Sequence, residues 1–269
     1  MIDLSHIDYS AFDNPEVLSC LFHPRQEPVS SHPENTYEMI IPVEDGLFIG
    51  ARFHHKDKTA PVILYFHGNG EIVADYDDSG CLYLAEGINF LPVDYRGYGL
   101  STGTPTVTGM MHDCYIILEF VRQWLSDNSF TGPLIVMGRS LGSASALELA
   151  AGCGDKIDGL IIESGFAYYL DLLRTLGIDV DTFKITEEEG ASNIEKIKSF
   201  KKPLLIIHAE YDQIIPFGNG QALFDACSAL DKKLLKIPGA DHNTIFAYGM
   251  DAYMKAVQEL AKAASRQLV

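Results

Sequence analysis

The sequence predicts an α/β fold: a mostly parallel twisted sheet with helices on both faces and an antiparallel hairpin at its N-terminal end. Three features carry that prediction. Two alternating stretches flank a turn pair near residue 45, short apolar runs then alternate with longer segments of helical period, and no break in composition marks a linker. The chain has 269 residues, 47% of them hydrophobic and 21% charged, which is enough to bury a large core and rules out disorder and a fibrous fold. Residues 1–269 therefore read as one domain, with 165–202 as a candidate insertion.

The hairpin is read from residues 36–43 and Leu47–His54 around Asp45-Gly46. Tyr37, Met39 and Ile41 share one face of the first stretch; Leu47, Ile49, Ala51 and Phe53 alternate along the second. Pro42 has no N–H to give a ladder, so it suits an edge strand. The strands of the parallel sheet are expected at Val62–Phe66, 90–93, 134–137, 160–162, 204–207 and 234–237. Met110, Met111, Cys114, Ile117, Leu118, Val121, Trp124 and Leu125 recur at steps of three and four, the stripe of a helix packed on a core. Tyr253, Met254, Val257, Leu260, Ala261 and Ala264 form a second such stripe. No period of 20 to 50 residues repeats, so solenoids and propellers are excluded.

Charge narrows the partners. The formal net charge is −17, which disfavours nucleic acid and anionic membrane surfaces. Residues 1–6 show no basic region followed by an apolar stretch, and no apolar run approaches the length of a membrane span, so a cytoplasmic protein with no membrane span is expected. The cysteines, Cys20, Cys81, Cys114, Cys153 and Cys227, are widely spaced and read as reduced, mostly buried thiols.

Chemistry concentrates at Gly138-Arg139-Ser140-Leu141-Gly142, which lies between an apolar run and the helical stretch 143–150. A serine on a tight strand-to-helix turn is pushed out of the sheet, and the flanking glycines leave room for the turn and for helix–strand packing. The Leu141 N–H at the helix start can face a developing oxyanion. Upstream, the run Val62–Phe66 ends in His67-Gly68-Asn69-Gly70, whose Asn69 N–H is a second candidate donor, with His67 bracing the loop. Downstream come His208-Ala209-Glu210-Tyr211-Asp212, then Asp241-His242-Asn243, both just past apolar runs. A serine hydroxyl needs an imidazole to take its proton, and the imidazole needs an acid to fix its tautomer.

These segments, with Asp94-Tyr95-Arg96-Gly97-Tyr98-Gly99 between them, resemble the α/β-hydrolase superfamily, nearest its short-cap members of serine aminopeptidase-like and esterase-like type. The resemblance runs from Val62 to the C-terminus. It implies a serine hydrolase that cleaves a small ester, thioester or amide through an acyl-enzyme. Ser140 would be the nucleophile, His242 the base and Asp212 the acid, with the N–H groups of Asn69 and Leu141 as oxyanion donors. Esterase or thioesterase is expected ahead of peptidase, and a hydrolase-fold binding or sensor protein is the alternative from another class. The partner expected is a small-molecule acyl substrate.

Other residues compete for these roles. Glu163 ends another apolar run and rivals Asp212 as the acid. His208, Glu210 and Asp212 alternate along one face, yet no second histidine cluster completes a ligand set, so no metal or cofactor is expected. His54 and His55 read as a satisfied or exposed pair; Asp94 and Arg96 as loop braces; Arg139 as an anchor of its turn. The 38 residues from 165 to 202 exceed what the sheet needs, and their apolar side chains Phe166, Tyr168, Tyr169, Leu170, Leu172, Leu173 and Leu176 could line an acyl pocket or build a crossover helix. Acids at 71–78 and 171–189 are expected to place a negative field at the site mouth that repels anionic substrates.

Overall fold

In the computed structural model, residues 4, 7–27, 36–187 and 192–266 are described. The reading of residues 1–6 falls outside them except at Leu4, as do 188–191 of the expected insertion, including Glu188 and Glu189.

Strands β1 (Thr36–Glu44) and β2 (Leu47–His54) pair antiparallel, with Gly46 in the left-handed region at φ +75°. Their register shifts between Pro42 and Glu44, and β1 is an edge strand, the position a proline tolerates. Six strands follow: β3 (Val62–Phe66), β4 (Asn89–Val93), β5 (Leu134–Arg139), β6 (Gly159–Glu163), β7 (Leu204–Ala209) and β8 (Lys232–Ile237). The sheet order is β1-β2-β4-β3-β5-β6-β7-β8, and every pair from β4 onward is parallel. The β2–β4 ladder is thin, pairing Ala51 with Val93 and His54 with Phe90, on a strand that carries Pro92. The far edge, β8, bears Lys232, Lys233 and Lys236, charges that discourage pairing with another chain.

Helices are α1 (Pro15–Leu21), α2 (Asp77–Ala85), α3 (Val107–Asp127), α4 (Gly142–Cys153), α5 (Tyr169–Thr175), α6 (Asn193–Lys198), α7 (Gly218–Ala226) and α8 (Ile245–Ser265). The period-two side chains of β3 split between two cores. Val62, Leu64 and Phe66 join α3 and α4; Ile63 and Tyr65 join Tyr83 of α2 and Tyr253, Val257 and Ala261 of α8. The 3.6-residue stripes of α3 and α8 are buried in those cores. α8 begins well before its stripe, with a non-helical break at Gly249. Helix α1 was not legible from the apolar pattern, although Asn14 caps it and Pro15 occupies its first turn.

Two features position the site. All six strands from β3 to β8 point their carboxyl ends to one edge, and β4 and β5 flank β3 on opposite sides, so the order of strands across the sheet reverses there. Ligands in open α/β sheets bind in the crevice such a reversal leaves. Residues 165–202 divide into two parts: α6 packs on α4 and α7 as a crossover helix, while Leu172 of α5 and Leu176 reach over the crevice. Among the described residues no helix is long and apolar enough to cross a membrane. Cys114, Cys153 and Cys227 are buried, Cys20 is half-buried, Cys81 is exposed, and all five are free thiols.

Candidate functional site

Ser140 sits at the end of β5 with φ +50°, a left-handed conformation that a non-glycine residue adopts only when its surroundings enforce it. The enforcement is visible. Ser140 N–H donates to Glu163 O on β6 (2.9 Å), and Ser140 O accepts from the Ser143 amide (3.0 Å) and hydroxyl (2.6 Å). A Cβ at position 142 would run into Phe66 O, and one at 138 into Gly142 O, so both glycines are required for α4 to pack this close to β3 and β5.

The loops after β7 and β8 bring Asp212 and His242 to this turn. Ser140 Oγ–H donates to His242 Nε2 at 3.0 Å, and His242 Nδ1–H donates to Asp212 Oδ2 at 2.7 Å. Asp212 Oδ1 accepts from the amides of Ile214 (3.0 Å) and Ile215 (2.8 Å), which fixes the carboxylate plane. Burial opposes the charge of Asp212, but the contacts from His242 and the Ile215 amide outweigh it, and the carboxyl titrates below its ordinary value.

Both residues expected to supply backbone N–H groups lie at the same cavity. Asn69 and Leu141 line it with Ser140 and His242; its volume is about 240 Å³. In a trans peptide the carbonyl and the following N–H point opposite ways, so holding one aims the other. Ser140 O is held by Ser143, which aims the Leu141 N–H away from α4. Gly68 O accepts from His67 Nδ1–H at 2.8 Å, which aims the Asn69 N–H in the same manner. His67 Nε2 lies 3.2 Å from Asp94 Oδ1, and Tyr95 OH donates to His67 O at 2.6 Å, so His67 and Asp94 brace the loop as the sequence suggested. Arg96 is engaged apart from them, bidentate to Asp113 at 2.8 Å. The Asn69 side chain is anchored in turn: its Oδ1 accepts from His23 N–H (2.8 Å) and Tyr98 OH (2.9 Å). Leu21 of α1 also lines the cavity, so the N-terminal segment, to which the sequence assigned no part, belongs to the site.

The competitors are placed elsewhere. Glu163 accepts from Arg139 Nε (3.2 Å) and Tyr253 OH (2.7 Å), and burial pushes its carboxyl up; it does not hydrogen-bond His242. His208 donates Nε2–H to Ile215 O at 2.7 Å and burial lowers its pKa, while Glu210 accepts from Lys236 (3.2 Å) and Gly239 N–H (3.1 Å). His208 Nε2 also lies 3.6 Å from Asp212 Oδ2, so it supports the acid from behind, while Glu210 points to β8. Asp241 caps its own turn through Asn243 N–H and Thr244. His54, expected to be satisfied or exposed, is neither: it is fully buried and both ring nitrogens lack a hydrogen bond, with Asp77 Oδ1 3.5 Å away.

Pairing of acids in the first segment weakens the expected negative field at the mouth without removing it, since Asp171 and Asp181 of the second segment stay largely exposed. Glu71 is bound by Arg139, Asp75 by Arg25 and Asp77 by Arg52; Asp78 stands in the first turn of α2, where the helix dipole favours an anion. In the other segment Glu187 accepts from the Tyr169 and Leu170 amides at the start of α5. Acid counting missed these partners because they come from distant parts of the chain.

Comparison with known proteins bears on the family and the fold. Residues 57–169 match the family described as Hydrolase_4: Serine aminopeptidase, S33. The chain is 31% identical over 199 residues to "Lysophosphatidylserine lipase ABHD12" of Xenopus tropicalis, covering 66% of this chain and 50% of that protein. It is 30% identical over 218 residues to human "Alpha/beta hydrolase domain-containing protein 17B", covering 77% and 67%. The chain thus spans between half and about two thirds of the length of these relatives. The fold superposes on the Pyrococcus furiosus esterase Pf2001 with a TM-score of 0.70 at 19% identity, over 89% of this chain and 98% of that one. A hydrolase-family segment, relatives at these identities and an eight-stranded sheet with its elbow serine all lead to one placement: the chain belongs to the α/β-hydrolase superfamily.

Proposed function

We propose that the protein is a serine hydrolase that cleaves a small ester through an acyl-enzyme on Ser140. The observation that carries the reading is the continuous hydrogen-bonded chain from Ser140 Oγ through the imidazole of His242 to Asp212. In the first half-reaction Ser140 Oγ attacks the substrate carbonyl carbon as its proton passes to His242 Nε2. Asp212 holds Nδ1–H, keeps the tautomer that can accept that proton and stabilises the imidazolium. The negative charge forms on the carbonyl oxygen, where the N–H groups of Asn69 and Leu141 receive it. Collapse expels the alcohol, which takes the proton from His242; water then repeats the sequence and releases the acid.

Two observations favour an ester over a peptide. The relative ABHD12 is described as a lipase. Glu71, the acid that lines the cavity with Ser140 among the described residues, is bound by Arg139 and so is poorly placed to take the free amino group of an aminopeptidase substrate, a role left to the exposed Asp171 of the adjoining cavity. Residues 165–202 act as a short cap through α5. A second cavity of about 440 Å³, bordered by Phe166, Asp171 and Arg174, shares the wall Leu172 and Ile214 with the first and gives room for the rest of the substrate.

The test is a panel of uncharged esters, acyl thioesters and aminoacyl amides scored by turnover, with Ser140→Ala as the blank. Ester turnover that disappears in Ser140→Ala is expected. Turnover confined to aminoacyl amides would favour the peptidase, and no Ser140-dependent turnover on any member would favour a binding protein.

A further inference from the structure

We propose that Glu71 and Arg139 form a positioning pair that ties the oxyanion loop to the histidine loop, so that the two halves of the site keep one spacing. The proposal rests on the hydrolase reading above and adds two residues to it, one of which, Glu71, no sequence motif singled out.

Arg139 is nearly buried, with 13% of its side chain exposed, and each of its nitrogens is used. Nη1 binds Glu71, Nε donates to Glu163 Oε1 at 3.2 Å, and Nη2 donates to His242 O at 3.0 Å and to Asn243 Oδ1 at 3.2 Å. Glu71 is equally committed. Its Oε2 accepts from Gly68 N–H at 2.6 Å and from Tyr76 OH. A continuous path therefore runs from Gly68 N–H through the Glu71 carboxylate and the Arg139 guanidinium to the backbone carbonyl of His242. Gly68 precedes Asn69, whose N–H is the proposed donor, and the carbonyl belongs to the proposed base.

The geometry requires this approach to be close. A Cβ at position 68 would lie 2.7 Å from Arg139 Nη1 and 2.8 Å from Glu71 Oε2, so glycine is what lets the pair pack against the loop. With Gly68 N–H held by Glu71 and Gly68 O held by His67, the residue ahead of Asn69 is fixed at both polar groups. Arg139 also follows from its place in the chain: it immediately precedes Ser140, so the guanidinium is anchored to the nucleophile's own strand. A planar fork can serve three directions at once, which a lysine ammonium cannot do with the same geometry. The carboxylates hold Arg139 charged against the cost of burial.

A misplacement of about 1 Å between reacting groups costs about 10²-fold in rate, and that is the effect expected from cutting the path. The experiment measures p-nitrophenyl butyrate hydrolysis, normalised to Ser140 titrated by a fluorophosphonate burst, in the full chain and in Glu71→Ala and Glu71→Gln. Glu71→Ala is expected to lower kcat by about 100-fold with KM within about threefold. Butylboronic acid, whose tetrahedral adduct mimics the transition state, is expected to bind more weakly by a similar factor. Glu71→Gln keeps an oxygen for Gly68 N–H but loses the charge facing Arg139, and an intermediate loss of about tenfold is expected. A purely structural role would reduce the titratable sites and leave kcat per site and boronate affinity unchanged, which overturns the proposal; full activity in Glu71→Gln does the same. If the parent protein shows no Ser140-dependent turnover, the hydrolase reading falls and the proposal with it. A normal parent with unaffected Glu71 variants overturns the proposal alone.

Discussion

Replacing Asp212 by Asn tests the choice of acid with almost no change of volume. Asp212 Oδ1 accepts the Ile214 and Ile215 amides, and an Asn carbonyl oxygen can keep both, so the side chain stays in place. Its amide nitrogen then faces His242 Nδ1, across the 2.7 Å at which Oδ2 now accepts. Two N–H groups cannot share that contact. The imidazole responds by carrying its proton on Nε2, which puts a donor rather than an acceptor opposite Ser140 Oγ at 3.0 Å. The nucleophile loses its base and the imidazolium loses its counter-charge. In the worked Ser-His-Asp template the same exchange lowers kcat about 10⁴-fold, or about 5 kcal/mol of transition-state stabilisation. Glu163→Gln, which touches Arg139 and Tyr253, is expected to cost under about tenfold because the Gln oxygen still accepts one of these. Both variants are assayed at neutral pH with the best ester of the panel, and circular dichroism confirms folding. A larger loss from Glu163→Gln than from Asp212→Asn would refute the assignment.

Fluorophosphonate treatment is expected to place one adduct, on the peptide containing Ser140, and peptide mapping that finds it on another serine contradicts the nucleophile. Glu148→Ala removes the shared acceptor of Tyr9 OH, Tyr115 OH and the nearly buried Lys196; breaking a buried pair of this kind is expected to lower stability by about 3–5 kcal/mol in a urea titration, and a change under about 1 kcal/mol contradicts the cluster's role. Burial pushes the pKa of His54 down to about 4, from an unfolded value of about 6.5, so the unfolded chain binds the proton first; stability is full above about pH 6.5 and is expected to fall as pH drops toward 4, by up to about 3 kcal/mol from this group. In His54→Phe the fall over that window is expected to shrink, and an equal slope in both proteins counts against it. Because Glu71, Asp75 and Asp77 are paired, a matched pair of neutral and anionic esters is expected to differ in kcat/KM by less than about tenfold at low salt, the difference closing as salt screens the net charge; a large gap that persists at high salt would point to an exposed acid such as Asp171 at the mouth.

The parts of the site that were legible in the sequence are those where chemistry constrains neighbouring residues. Ser140 needs glycines on both sides of its turn, and Asp212 and His242 must each follow a strand, so each leaves a local trace. The hairpin and the parallel strands were legible for the same reason, since periodicity is a local property. What escaped notice acts across the chain. Glu71 reads as one acid in an acidic run until Arg139, 68 positions away, is seen beside it. Glu163 looks as suitable as Asp212 until Tyr253, 90 positions away in α8, is found bonded to it. The N-terminal segment carries no motif, and its contribution appears only when His23 meets Asn69 across 46 positions. His54 failed in another way: alternation placed it on a strand, but whether a strand histidine finds a partner depends on what packs over it.

The charge distribution joins these observations. The chain carries −17 overall, and six acids in or near its interior share four cations: Glu71 and Glu163 share Arg139, Glu27 and Asp77 share Arg52, Asp113 has Arg96 and Glu148 has Lys196. An unpaired buried charge costs several kcal/mol, so pairing is strongest where solvent is absent, and the surplus of acids is left to the surface. Composition therefore reports the surface and says little about the cavity. Asp212 differs from Asp113, Glu148 and Glu163 in this respect. Its nearest side-chain partner is an imidazole, not a lysine or arginine, so its stabilising charge rises when His242 takes up a proton. Asp94 also faces an imidazole, that of His67, but His67 bonds to its own loop, whereas the imidazole beside Asp212 reaches Ser140 Oγ; it is the combination of an imidazole partner and that imidazole's contact with Ser140 that sets Asp212 apart from Asp94, Glu148 and Glu163.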